Sequence, residues 1–425
     1  MSDNINILTS EAIELLKEMI AIPSPSFHED EVCSHISSWL TSKGIEHERI
    51  GNNIVAEHIV YPNRPTLMLC AHIDTVDPCE GYSFDPYKPE NSPEGVVQGL
   101  GSNDDGASVV SMIAAYRYMC NRSFANAQDD IKDAQDDRED VQDDREDVLN
   151  DIKDAQDDRE DAQNSNKMQD CHSERSEESG KHITKPITNL TLVLSCEEER
   201  SGKGGMTGLW GNRLSWIDYA IVGEPTGMKA AVSERGLLVI DATAHGVSGH
   251  AARNEGKNAL YIALEDIEKL RKHEFSKVSP KMGKVNLNVT QINAGSAHNV
   301  IPDRCDFVID IRPTEQYTNE EILKELQEIC TSELKPRNLS NRSSATKEGS
   351  PLQKTAEELG IETFSSATTS DWMRITCDAI KMGPGDSNRS HRKDEYVTEQ
   401  EIAEGIETYI NYIRSLDFAR DDKEK

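Results

Sequence analysis

Three short apolar runs in this chain each stop on polar residues: PTLMLCAHID at 65–74, LTLVLSCEEE at 190–199 and DYAIVGEPT at 218–226. A run that is apolar without alternation predicts a strand covered on both faces, as in a parallel sheet. Helical patterns accompany these runs. Ser10 is placed to cap a helix whose Ile13, Leu16, Met19 and Ile20 share one face. Open α/β sheets gather their sites beyond the carboxyl ends of the strands, where these runs turn polar.

A different pattern fills 228–342. LLVIDATAHG, KVNLNVTQINAG and RCDFVIDIRP read as strands, and ALYIALEDIEKLRKH and EEILKELQEI as amphipathic helices. The expected architecture is an α/β domain with a mixed, mostly parallel sheet, plus an inserted α+β domain with an antiparallel sheet. The first is expected in three parts, 1–120, 187–227 and 343–425, with the inserted domain at 228–342. Residues 121–186 form an acidic insertion in which DIKDAQDDRED occurs twice, from Asp130 and from Asp151. Between Asp129 and Asp161 stand seventeen acidic and five basic residues, with almost no Leu, Val or aromatic ones. Such a stretch cannot bury enough surface to offset its ordering entropy, so disorder is expected there.

The formal net charge of −31 argues against nucleic acid or an anionic membrane as a partner. The N-terminal segment lacks the basic region and cleavage site of a secretory leader, and no apolar run is long enough to span a bilayer. Nine scattered cysteines, none in Cys-x-x-Cys, support neither a disulfide scaffold nor a four-cysteine zinc site. A cytoplasmic protein is expected.

Five polar clusters stand where strands should end: His72 with Asp74, Asp104 in GLGSNDDGAS, the triplet Glu197–Glu199, Glu224 in GEPTG, and His391 in GPGDSNRSHRKDEY. Taken singly, each is commonplace. A His-x-Asp is usually a structural pair and an acidic triplet usually a solvated face. Their succession at strand ends is less ordinary. Three adjacent carboxylates repel unless a cation or water neutralises them. Histidine with carboxylate suits zinc, and a carboxylate bridging two ions makes a co-catalytic pair. Period-two alternation puts His72 and Asp74 on one side of their strand, so Asp74 can orient the imidazole.

AHIDTV, GLGSNDDGA, SCEEERSG, VGEPTG, SGHAARNEGKNA and GPGDSNRSH, in that order, resemble the family of acetylornithine deacetylase, succinyl-diaminopimelate desuccinylase and aminoacylase. The resemblance makes the first, α/β domain catalytic and the inserted α+β one a ferredoxin-like lid/dimerisation domain, and it implies two Zn²⁺ ions, with Co²⁺ or Mn²⁺ as in vitro substitutes. Asp104 would bridge them, His72 and Glu224 would complete one site, and Glu199 and His391 the other. Glu198 would be the general base and His250, in SGHAAR, an oxyanion donor reaching the partner subunit's site in a homodimer. Arg235, Asn299, Arg312, Ser370 and Asp371 match positions around the substrate, with Asp371 suited to the ammonium of ornithine. The family usually has Asp-Glu-Glu at the triplet. Glu197 in the first place leaves the register between Glu197 and Glu198 open. Leu100 replaces an arginine often found before the bridging aspartate.

What the resemblance implies is hydrolysis of the amide of an N-acyl amino acid, N-acetylornithine or N-succinylornithine foremost, as in arginine biosynthesis. A dipeptidase, carboxypeptidase or succinyl-diaminopimelate desuccinylase shares the same ligands. A non-catalytic metal-binding protein with an acidic interaction element is the alternative of another class.

Overall fold

The computed structural model describes residues 2–60, 63–121, 189–253 and 255–416. The acidic repeats of the expected insertion lie outside the described residues. Two compact units divide the chain, Met1–Arg117 with Thr188–Lys425, and Tyr118–Ile187. All the sheets and the site described below belong to the first.

The chain opens with helices α1 (Ser2–Ile20) and α2 (Asp30–Ser42). Strands β1 (Glu48–Ile50), β2 (Asn53–His58), β3 (Thr66–His72) and β4 (Val96–Gln98) follow, then helix α3 over 107–121. After it come β5 (Asn189–Ser195), the one-turn α4 (Met206–Leu209), β6 (Tyr219–Val222) and β7 (Ala230–Glu234). The next group comprises β8 (Leu238–His245), β9 (Gly249–His250), α5 (Ala259–Lys272), β10 (Asn286–Ala294), β11 (Val300–Ile301), β12 (Arg304–Arg312), α6 (Asn319–Ile329) and β13 (Glu333–Pro336). The chain finishes with β14 (Ser344–Ala345), α7 (Pro351–Glu358), β15 (Thr363–Ser366), β16 (Asp378–Lys381), β17 (Tyr396–Thr398) and α8 (Glu399–Ser415).

The larger sheet runs β1-β2-β5-β3-β6-β16-β7-β14, with β15 also on β7. Its centre, β5-β3-β6-β16, is parallel, and the β2–β5, β16–β7 and β14–β7 pairings are antiparallel. Every residue of β3 and β5 is buried, which is why these strands show no alternation in the sequence. Their shared register ends with His72 opposite Ser195, so the polar residues following both strands emerge at one edge.

Strands β10-β12-β8-β13 make a separate antiparallel sheet in a β-α-β-β-α-β order. Here burial alternates residue by residue along β8 and β12, because only one face is covered. Leu238, Ile240, Ala242, Phe307, Ile309 and Ile311 join Ile262, Leu270, Ile322 and Leu326 of α5 and α6 in one core. Thr318 starts α6 with a reciprocal capping box to Glu321. The fold is thus an α/β domain with a mixed sheet and an inserted α+β domain, as the sequence pattern implied.

Asp266 of α5 is fully buried and ties that helix to the segment before β13. Its carboxylate accepts from the N–H groups of Thr331 (2.9 Å) and Ser332 (2.7 Å) and from Ser332 Oγ (2.7 Å). Burial alone would raise its pKa, but these donors and Lys269 outweigh it and hold the carboxyl below its ordinary range. A depressed folded-state pKa means that the contribution is complete above the ordinary carboxylate pKa and is lost as pH falls through the lowered value. Asp266→Ala is expected to cost about 1–3 kcal/mol at neutral pH, through orphaned donors. Chemical denaturation of the two proteins at pH 7 and again in acid should show the gap closing as pH drops.

Candidate metal centre and active site

Where β5 ends at Ser195, four successive backbone N–H groups are each taken by a side chain. Cys196 donates to Asn53 Oδ1 (3.0 Å), Glu197 to Glu29 Oε1 (3.1 Å), Glu198 to Asp74 Oδ1 (3.0 Å) and Glu199 to Asp74 Oδ2 (3.1 Å). Asn53, Glu29 and Asp74 are all buried, and Ser26 Oγ adds a 2.6 Å bond to Asp74. Asp74 thus spends its carboxylate mainly on the acidic triplet. His72 Nδ1 lies 2.9 Å from the main-chain oxygen of Asp74 and 3.5 Å from its carboxylate, which leaves Nε2 facing the site. The sequence had pointed to Asp74 and His72 as partners but not to this larger role.

Glu197 takes a left-handed backbone conformation (φ 59°) and turns its side chain into the glycine-rich loop behind it, where its carboxylate accepts from Gly204 N at 2.8 Å. A Cβ on Gly204 would stand 2.4 Å from that carboxylate, which would have to shift to admit it. Glu198 and Glu199 line the cavity, and Glu197 does not.

Asp104 sits in the turn that leads into α3. Gly101 enters it with φ 77°, and a Cβ there would meet Thr75 at 2.5 Å. The Asp104–Asp105 peptide is cis. Buried Glu395 accepts from the N–H groups of both Asn103 and Asp104 at 2.9 Å. The Asn103 side chain bonds Asp386 N (2.9 Å) and Asp386 O (3.1 Å), joining this turn to the loop that carries His391. Leu100, where an arginine was noted as common, is simply buried.

The two oxygens of Asp104 face the two histidines, Oδ1 at 3.2 Å from His72 Nε2 and Oδ2 at 3.7 Å from His391 Nε2. His391 Nε2 is also 3.0 Å from Glu199. His72, Asp104 and Glu199 offer donor atoms within 4.8 Å of one another, as do His72, Glu198 and Glu224. Asp104, Glu198, Glu199, Glu224 and His391 line one cavity of about 350 Å³ with Ser201, Leu237, Arg312, Thr368, Thr369, Met373, Ser387 and Ser390.

The electrostatics of this cluster are unfavourable as they stand. Burial, followed by repulsion from Glu224, Asp371 and Glu199, pushes Glu198 well above the ordinary carboxylate range, with His72 opposing. Burial and then the charge of Asp104 do the same to Glu224. Burial disfavours a charged His72, yet Asp104 and Asp74 outweigh it and hold its pKa well above the usual histidine value. The bond to Glu199 lifts His391 to about 9. Four carboxylates and two imidazoles converging in this way form a donor set that fits divalent cations of the zinc type, which would relieve the repulsion.

The expected substrate residues divide. Arg312 lines the cavity while bonded through two nitrogens to Asp310 (2.9 and 3.2 Å). Arg235 instead donates to the main-chain oxygens of Met282, Lys284 and Arg312. Ser370 and Asp371 are buried off the cavity. Ser370 Oγ donates to Glu234 (2.7 Å), and Asp371 accepts from Ser195 Oγ (2.6 Å). Their neighbours Thr368, Thr369 and Met373 face the cavity in their place. His250 and Asn299 are exposed and adjoin on the small β9–β11 ladder, away from the cavity of their own chain.

A mixed sheet whose parallel centre ends in a His/carboxylate cluster, with an α+β domain inserted beside it, is an arrangement that a divalent metal ion would fit. Residues 232–338 match the M20 family's peptidase dimerisation domain. A peptidase M20 domain-containing protein of Schizosaccharomyces pombe is 25% identical over 410 residues, 93% of this chain and 82% of its own. The succinyl-diaminopimelate desuccinylase of Corynebacterium glutamicum is 24% identical over 421 residues, 93% of this chain and 94% of its own. A dinuclear metal-binding M20 peptidase of Bacillus subtilis has the same fold, with a TM-score of 0.64, 13% identity and coverage of 96% and 98% of the two chains. Over nearly its whole length the chain is thus similar to hydrolases of the M20 family, and its inserted domain matches that family's dimerisation domain. No helix among the described residues is long and apolar enough to cross a membrane.

Glu29, Asn53, Asn103 and Glu395 were missed by the sequence reading. Each acts on backbone far away in the chain, and no spacing rule exposes such a partnership. Asp74→Ala should loosen the triplet and lower zinc affinity about 10–100-fold. Competition titration against a zinc chelator measures this, and an unchanged affinity would show that Asp74 does not support the centre.

Proposed function

We propose that this chain hydrolyses the amide bond of N-acyl amino acids, using two zinc ions held by His72, Asp104, Glu199, Glu224 and His391. The observation that carries this reading is the placement of Asp104 between the two histidines, with Glu198 on the same cavity wall. When bound, the cations supply Lewis acidity toward the amide carbonyl and acidify a water molecule.

The chain's own residues supply the rest. Glu198 is the proton carrier, taking a proton from the attacking water and returning it to the departing amine. Arg312, preset by Asp310, binds the substrate carboxylate through its remaining donor capacity. His250 and Asn299, lying off their own cavity on the lid ladder, act on the cavity of a second subunit, which makes the working form a homodimer. The match to a dimerisation domain supports the same assembly.

N-acetylornithine and N-succinylornithine are the amides that the sequence motifs favour, in a cytoplasmic, arginine-forming setting. Asp371, expected to meet the ammonium of ornithine, is bonded to Ser195 instead, so the proposal stands on the acyl amide and the carboxylate, without that residue.

Zinc-loaded protein should be assayed against N-acetylornithine, N-succinylornithine, N-succinyl-diaminopimelate and a dipeptide panel. Preferred turnover of dipeptides would end the deacylase reading. Glu198→Gln is expected to lower kcat by about 10²–10⁴-fold with zinc retained, whereas Glu197→Gln should keep most of the activity. Equal losses in the two variants would contradict the assignment of the base.

A further inference from the structure

The inserted α+β domain is joined to the larger sheet by two segments, 235–237 between β7 and β8 and 337–343 between β13 and β14. They cross in direct contact. Gly236 N donates to Ser343 Oγ at 2.9 Å, and Leu237 N to the main-chain oxygen of Asn341 at 3.1 Å. A Cβ on Gly236 would stand 2.8 Å from both Asn341 O and Ser343 N, so backbone meets backbone here. Leu237 lines the active cavity, and so does Arg312, whose neighbour Ile311 pairs with Leu238. Gly236 N also lies 3.3 Å from the main-chain oxygen of Pro313. The first segment is thus bonded to the strand end that carries Arg312.

The second segment is held from two directions. From the inserted domain, buried Asn319 donates through Nδ2 to the main-chain oxygens of Leu339 (3.0 Å) and Asn341 (3.1 Å). From the larger domain comes Arg374, the last residue of the single turn Asp371–Arg374, whose Met373 lines the cavity. Arg374 Nη1 donates to Ser340 O (2.8 Å) and Ser340 Oγ (2.9 Å), and Nη2 to Asn341 Oδ1 (2.5 Å). Arg342 returns the contact, its Nη2 donating to the main-chain oxygen of Ile375. The three acceptors of Arg374 are neutral, so its guanidinium serves here as a shaped donor. A planar fork that grips three atoms of one turn fixes both position and angle, which a single bond from a flexible ammonium does not.

We propose that Arg374 is a positioning residue for substrate binding: by fixing the turn at 338–341 it sets where the inserted domain holds Arg312 over the cavity, and so how well the substrate carboxylate is met. This deepens the reading of Arg312 given above and rests on it. A brace that only joined two domains would affect every substrate alike. One that places Arg312 affects only those whose α-carboxylate Arg312 binds.

The test compares N-acetylornithine with its α-carboxamide, which has the same acyl group and side chain, and glycylornithine with its α-carboxamide. Each is assayed on zinc-loaded wild type, R374M, R374K and, as the reference, R312M. Wild type should favour the carboxylate over the carboxamide by about tenfold or more in kcat/KM, and R312M should bring that ratio toward one. In R374M, kcat/KM for the carboxylate should fall about 10–100-fold, chiefly through KM, while the carboxamide and zinc affinity are unchanged. If R374M fails to fold, R374K, which keeps the charge and loses the fork, carries the same expectation.

A ratio that collapses in R312M and persists in the Arg374 variants would overturn the proposal and leave the reading of Arg312 intact. Equal slowing of carboxylate and carboxamide in the Arg374 variants would also overturn it, because that marks a merely structural brace. A wild-type ratio in R312M removes the reading of Arg312 and the proposal with it. If only the dipeptide pair is cleaved, the deacylase reading fails, and the carboxylate-to-carboxamide ratio within that pair still decides the role of Arg374. Cleavage of neither pair overturns both.

Discussion

Four backbone N–H groups after β5 need acceptors, and the active site depends on how they get them. Asn53, Glu29 and Asp74 reach residues 196–199 from three earlier segments of the chain and fix the only stretch in which three glutamates are adjacent. An unpaired buried donor is costly, and a carboxylate accepting two such bonds is held firmly. The result is that Glu197 turns away into a glycine loop while Glu198 and Glu199 are left facing His72, Asp104 and His391. Without this clamp the triplet would be a repelling acidic loop with no preferred register.

The same device recurs at the opposite wall. Glu395 holds the N–H groups of Asn103 and Asp104, and burial together with the nearby Asp104 charge lifts its pKa to about 8. Asn103 then joins that turn to the His391 loop. The groups that face the cavity are thus positioned by others that do not, and the supporting groups are as deeply buried as hydrophobic core. Such support makes a site rigid enough to tolerate four converging carboxylates before any cation relieves them.

The two sheets divide the labour. The larger one delivers His72, the triplet and Glu224 at the ends of neighbouring strands β3, β5 and β6. The smaller one, with one face covered by α5 and α6, supplies Arg312 to the cavity and carries His250 and Asn299 on a separate ladder. The separation of those two residues from their own cavity is what gives the dimerisation domain a part in the chemistry proposed here.

Much of this was legible in the sequence. Unbroken apolar runs announced the central strands because both of their faces are covered, and alternation announced β8 and β12 because one is not. The polar residues that close those runs, His72, the triplet and Glu224, followed from the same pattern, as ligands mark themselves by chemical type. The direction in which a side chain spends its hydrogen bonds leaves no such trace. Ser370 and Asp371 looked like substrate contacts and proved to be bonded inward, to Glu234 and Ser195. Arg235 looked like an anion binder and proved to cap main-chain oxygens. Strand character and residue type are legible in local composition, whereas the facing of each of these polar atoms is set by partners 47 to 176 residues distant, which only the folded chain brings within reach.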